Sequence, residues 1–104
     1  MIGDHRMKTP TDSTSLADVR GAIDHVDEQI VALLSLRADY VRAARRFKTS
    51  EQAVAAPERQ AAMLQVRRGW AQREGLDPAF IERLYREIVA YFVAHEMEHW
   101  RAGS

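Results

Sequence analysis

The chain is expected to fold as an all-α protein of three helices, one of them long, that pairs with a second copy into an intertwined helical homodimer. Three observations point there. Apolar residues recur at alternating spacings of three and four in three separate stretches, the periodicity of a helix face. Two of the three prolines, Pro57 and Pro78, fall at the boundaries between those stretches. No segment alternates apolar and polar residues as a strand would.

The first helix runs through "STSLADVRGAIDHVDEQIVALLSLRADYVRAARRFK". Its seam is Leu16, Val19, Ile23, Val26, Ile30, Leu33, Arg37, Val41 and Ala44, with Arg37 as the charged intruder. Ser15 and Asp18 form a capping box at its start. About 34 residues at about 1.5 Å each give a length near 50 Å, whereas a compact domain of this size has a radius of gyration of about 13 Å. Two shorter helices of the same chain cannot cover that seam, and a two-fold partner is the commonest supplier of another long helix. "KTSEQAVAAPE" breaks the pattern and reads as a loop ending at Pro57. The second helix, roughly 57–74, carries Met63, Val66 and Trp70 on one side and stops at Gly75. Asp77 as N-cap and Pro78 as first helical residue open the third helix. Its stripe is Ile81, Leu84, Ile88, Phe92 and Trp100, running to about Arg101.

With 104 residues and 46% apolar content, the chain is one domain with a modest core. Fifteen basic residues balance fifteen acidic ones, so no global field favours nucleic acid or an anionic membrane. An anion site must come from a local cluster. No cysteine is present, which excludes disulfides and thiolate metal sites and fits a reducing compartment. The start, "MIGDHRMKTPTDS", lacks the apolar segment of a secretory signal, and no run reaches membrane-span length, so a cytoplasmic location is expected. Residues 1–6 look like a loose, vector-like piece. Residues 1–10 are taken as a flexible extension, and 11–104 as the helical domain.

Several charges stand on faces that should be apolar. Arg37 occupies a seam position, where the bland account is a snorkelling arginine. Lys48 follows eleven residues later, three turns on, its α-carbon about 16 Å away if the helix continues. Arg59 shares a face with Met63. For Lys48 and Arg59 taken singly, a solvated surface position explains them equally well. Together with Arg37 they suggest a carboxylate site, because arginine grips a carboxylate with two parallel hydrogen bonds. Glu96 lies on or beside the apolar stripe of the last helix, where a carboxylate must be paired with a base or protonated. It also sits in "HEMEH", His95 to His99, which matches H-E-x-x-H. A catalytic zinc needs a third ligand and an open position. Downstream of His99 stands "WRAGS", without histidine or carboxylate, so zinc chemistry is not expected.

The run "SLADVRGAIDHVDEQIVALLSLRADYVRAARRFK", with "APER" at 56–59 and the aromatic-rich end of the last helix, resembles the all-helical chorismate mutase family. "MKTP" at 7–10, "RFKTSE" at 46–51 and "GLDPAF" at 75–80 are similar to its isochorismate-pyruvate lyase members, which make salicylate for siderophores such as pyochelin. The likeness covers 7–101. It implies the intertwined dimer of the chorismate mutase type, with two active sites and no metal or organic cofactor. Carried over by position, Arg37, Lys48 and Arg59 line the site, with Val41, Met63 and Val93 also among the substrate-binding residues. Arg20 comes from the other subunit. Arg20 and Arg37 lie about 25 Å apart along one helix, too far to share a small substrate, whereas an antiparallel dimer can bring them together. The implied substrate is a ring dicarboxylate bearing an enolpyruvyl ether, and the implied reaction is pericyclic. Lys48 would donate to the ether oxygen and a carboxylate, and the loop "TSEQAVAA" would close over the ligand.

The chain departs from the family at Glu96, where bacterial members typically carry glutamine and fungal mutases glutamate. An ionised carboxylate cannot donate to the ether oxygen, so Glu96 is expected to work protonated. Activity should then fall as pH rises through neutrality. Ala56 and Gln60 stand where mutases usually place two acidic residues for the ring hydroxyl, which favours the lyase. Three readings follow: the lyase with chorismate mutase activity beside it, a dedicated chorismate mutase, or a non-catalytic helical dimer with a decayed site.

Overall fold

The computed structural model describes residues 9–103. Every regular element among them is helical: a 3-10 turn at Pro10–Asp12, α1 (Leu16–Ala44), a 3-10 turn at Arg45–Phe47, α2 (Glu51–Ala55), α3 (Pro57–Arg73) and α4 (Pro78–Gly103). The chain divides within α1 into two compact units, one ending at Tyr40 and the other starting at Val41. Of the expected flexible extension, residues 1–8 lie outside the described residues. Thr9 and Pro10 are built into the first turn, where the Thr9 hydroxyl accepts from the Asp12 N–H at 3.2 Å.

In the first unit, Ser15 caps α1 by accepting from the Asp18 N–H at 3.0 Å. The reciprocal bond lands one residue earlier than a capping box requires: Asp18 Oδ2 accepts from the Thr14 N–H at 3.1 Å and from its hydroxyl at 3.0 Å. The predicted seam is present and uncovered. Leu16 is 61% exposed and Ile23 53%, and no residue of α1 is buried. Each such side chain would contribute about 1.5–3 kcal/mol if fully buried. Pro10, Val19, Ile23 and Val26 line an apolar groove of about 370 Å³ along this seam.

The second unit holds the end of α1, the turn after it, and α2 to α4. Met63 and Leu64 of α3 pack with Val89 of α4, flanked by Tyr85 and Val93. Glu82 of α4 accepts from Arg68 of α3 at 2.8 Å and from Arg86 at 2.7 Å. Those two hydrogen bonds, Arg86 first, hold the Glu82 carboxyl below its ordinary pKa. The Arg67 guanidinium lies 4.7 Å from the Trp70 ring centre and 5.1 Å from that of Tyr85. Gly75, at φ +76°, ends α3 in a Schellman motif. Its marks are Leu76 N–H to Ala71 carbonyl at 2.8 Å and Gly75 N–H to Gln72 carbonyl at 3.2 Å. Asp77 caps α4 as expected, accepting from the Ala79 N–H at 3.0 Å.

Four expectations need correction. The first α-helix stops at Ala44 instead of Lys48: the last residues tighten into a 3-10 turn, in which the Lys48 N–H donates to the Arg45 carbonyl at 3.1 Å. The stretch taken as a loop contains α2, because Ser50 caps it by accepting from the Ala53 N–H at 3.0 Å. That helix ends where Pro57 disfavours a right-handed helical Ala56, which sits at φ 41°, ψ 60°. On α3 the buried residues are Met63, Leu64 and Ala71, while Val66 and Trp70 are exposed, since α4 covers a face rotated from the predicted one. On α4, Leu84 is exposed and Val89 and Glu96 are the buried residues.

Candidate active site

Lys48 leaves the helical path. Its backbone is extended at φ −103°, ψ 130°, directly after the 3-10 turn. From there its ammonium donates to both oxygens of Glu96 on α4, at 2.9 Å and 3.1 Å. Glu96 is 5% exposed and Lys48 24%. A carboxylate so buried requires a counter-charge or a proton, because desolvation disfavours the bare ion. Lys48 supplies the counter-charge.

The pair lies in the wall of a cleft of about 430 Å³, a volume typical of small-ligand sites. Arg42 at the end of α1 and Arg45 and Arg46 in the following turn line it. Ala43 of α1, Val54 of α2 and His99 and Trp100 of α4 complete the wall. The Arg45 Nε is buried without a hydrogen-bond partner. Arg46 stacks its guanidinium 4.9 Å from the Phe47 ring centre. Four basic residues, Arg42, Arg45, Arg46 and Lys48, and one acidic residue, Glu96, are among the cleft's lining, a composition that suits a small anion. The wall combines strong donors with apolar surface, which suits binding and orienting a charged ring compound.

Of the residues expected from sequence, Lys48 and Glu96 are brought into contact. Met63 and Val93 line a different groove, of about 580 Å³ between α3 and α4, together with Gln60 and Val89. Arg59 is exposed on the first turn of α3, apart from the residues lining either cavity, and Val41 is half-buried at the start of the second unit. Arg20 is exposed and Arg37 half-buried, both in the first unit. The H-E-x-x-H segment is split by function. Glu96 turns inward to Lys48, and His95 stacks outward on Tyr91 with ring centres 4.4 Å apart. His99 lines the cleft. Sequence reasoning missed Arg42, Arg45, Arg46, Val54, His99 and Trp100. A signal for the arginines was present: "RAARRFK" places four cations in seven residues where the first helix ends.

Residues 19–97 match the chorismate mutase type II family, and the chain belongs to it. The matched range contains Arg20, Arg37, Lys48, Arg59 and Glu96. Over 95 residues the chain is 53% identical to a Pseudomonas aeruginosa protein named isochorismate pyruvate lyase, covering 91% of this chain and 94% of that protein. It is also 32% identical over 83 residues to the T-protein of Haemophilus influenzae, covering 79% of this chain and 22% of that much longer relative. Among the described residues, no helix is long and apolar enough to cross a membrane.

Proposed function

We propose that this chain is an isochorismate pyruvate lyase, converting isochorismate to salicylate and pyruvate, with chorismate mutase activity beside it. The observation that carries this is the Lys48 ammonium set in a cation-rich cleft against a buried carboxylate, in a chain 53% identical to a protein of that name. The reaction needs no nucleophile. One hydrogen moves from the ring to the enolpyruvyl methylene as the ring carbon–oxygen bond breaks, so the two products account for every atom of the substrate. Catalysis consists of holding the reactive conformer and stabilising charge on the departing ether oxygen. Lys48 donates to that oxygen and to a carboxylate, and the arginines clamp the carboxylates.

Glu96 serves the site by holding that ammonium: its two oxygens accept from Lys48. The lyase is favoured over a dedicated mutase by Ala56 and Gln60, which stand where mutases usually place two acidic residues for the ring hydroxyl. Ala56 has no polar side-chain group to hold it, and Gln60 is a neutral amide. The family itself favours retained mutase activity.

The functional form is a homodimer in which the partner's α1 covers the exposed seam and delivers the partner's Arg20 to this chain's site. The uncovered α1 residues support it. Arg37, Arg59, Val41, Met63 and Val93 complete the substrate contacts in that assembly, and the location is the cytoplasm. Incubating the protein separately with isochorismate and chorismate, while following salicylate fluorescence and prephenate, tests the proposal. Salicylate release is the expected result. Prephenate alone would make the chain a mutase, and neither product would make it a non-catalytic dimer.

A further inference from the structure

α2 forms one side of the cleft and is tied to α4 at two points. Val54, 4% exposed, seals the cleft wall from within. On the outside, Arg101 near the end of α4 donates from Nε to Glu51 Oε1 at 2.6 Å. That hydrogen bond, with the charge of Glu51 behind it, raises the pKa of the guanidinium. Both ends of α2 are non-helical joints: Lys48 is extended on one side, and Ala56 is left-handed before Pro57 on the other. Between them, α2 has five residues, too few to stay helical in water without its ties to α4.

We infer that the Glu51–Arg101 ion pair is a latch holding α2 shut over the cleft, and that Arg101 thereby acts as a positioning residue for Lys48. The inference rests on the lyase function proposed above, and it concerns a residue outside the lining of the Lys48 cleft. Both side chains of the pair are largely exposed, and exposed pairs contribute little to stability. That weakness suits a latch, which has to release as well as hold. Losing such a pair shifts the closed population by about two- to five-fold. Salt screens it, with a Debye length of about 8 Å at physiological ionic strength.

Arg101→Gln removes the charge and Arg101→Lys keeps it. Hydrogen exchange of the unliganded protein should show Arg101→Gln speeding exchange at the Ala53, Val54 and Ala56 amides, with those of 96–100 unchanged. In salicylate formation, KM should rise about two- to five-fold with a smaller change in kcat. Arg101→Lys should restore most of the loss. The KM ratio of variant to parent should approach one as salt is raised, which a packing defect would not do. Unchanged exchange in α2, exchange that quickens equally along the end of α4, or a KM ratio indifferent to salt would overturn the latch. The exchange measurement needs no substrate, so it judges the latch even where absent salicylate formation has removed the proposed activity.

Discussion

Lys48 and Glu96 carry the most consequence of any two side chains here. A single donor aimed at developing charge is worth about 10²–10³ in kcat, so Lys48→Gln should lower salicylate formation by that factor, measured under saturating isochorismate. The same change leaves Glu96 buried without its ammonium, and the variant should also unfold at lower denaturant concentration. Adding Glu96→Gln to it should recover that stability but not the rate. Glu96→Gln alone exchanges the charged acceptor of the ammonium for a neutral amide that can also donate to the ether oxygen, so salicylate formation should rise. An unchanged rate would take position 96 out of contact with that oxygen. Glu82 gives a separate, purely structural pH effect. Its folded pKa is depressed by Arg86 and Arg68, so the stability it lends is present above its unfolded value and is lost as pH falls through the folded one. Glu82→Gln should therefore flatten the acid end of a stability-against-pH curve.

The elements divide by how local their causes are. The starts of α1 and α4 follow from Ser15 and Asp77, whose side-chain oxygens lie within three residues of the amides they cap. The end of α3 follows from Gly75. A Cβ there would meet no atom within 4 Å, so Gly75→Ala tests backbone strain alone. About 1 kcal/mol of destabilisation is expected from chemical denaturation. α2 was also written locally, in Ser50 and in the proline two residues after Ala55, but the absence of apolar periodicity over five residues hid it. The choice of buried face on α3 and α4 was not local. Val66 and Trp70 are as apolar as Met63 and Leu64, and only the side α4 approaches decides which pair is covered.

For the whole molecule the main expectation is assembly. An α1 with no buried residue and a long apolar seam interrupted by Arg37 should be covered by a second copy. Light scattering should give twice the chain mass. Ile23→Asp should reduce that mass towards one chain and abolish activity with it, because the partner's Arg20 leaves together with its helix. Mixing this variant with an Arg20→Ala protein tests the exchange of parts. Activity restored in the mixture would require one chain to lend its Arg20 to the other.

By itself the sequence determined the helical class, the caps, the two intruding charges and the family they belong to, since periodicity, capping and motif spacing act over a few residues. Lys48 and Glu96 were legible because each was a charge in an apolar pattern. Their contact, forty-eight residues apart, was decided only by the tertiary structure. So were the grouping of the arginines in one cleft lining and the Glu51–Arg101 bond, because each depends on which helix faces lie together once the chain has packed. Sequence spacing fixes neighbours along one helix, whereas contacts between helices are set by the burial that the whole second unit achieves at once.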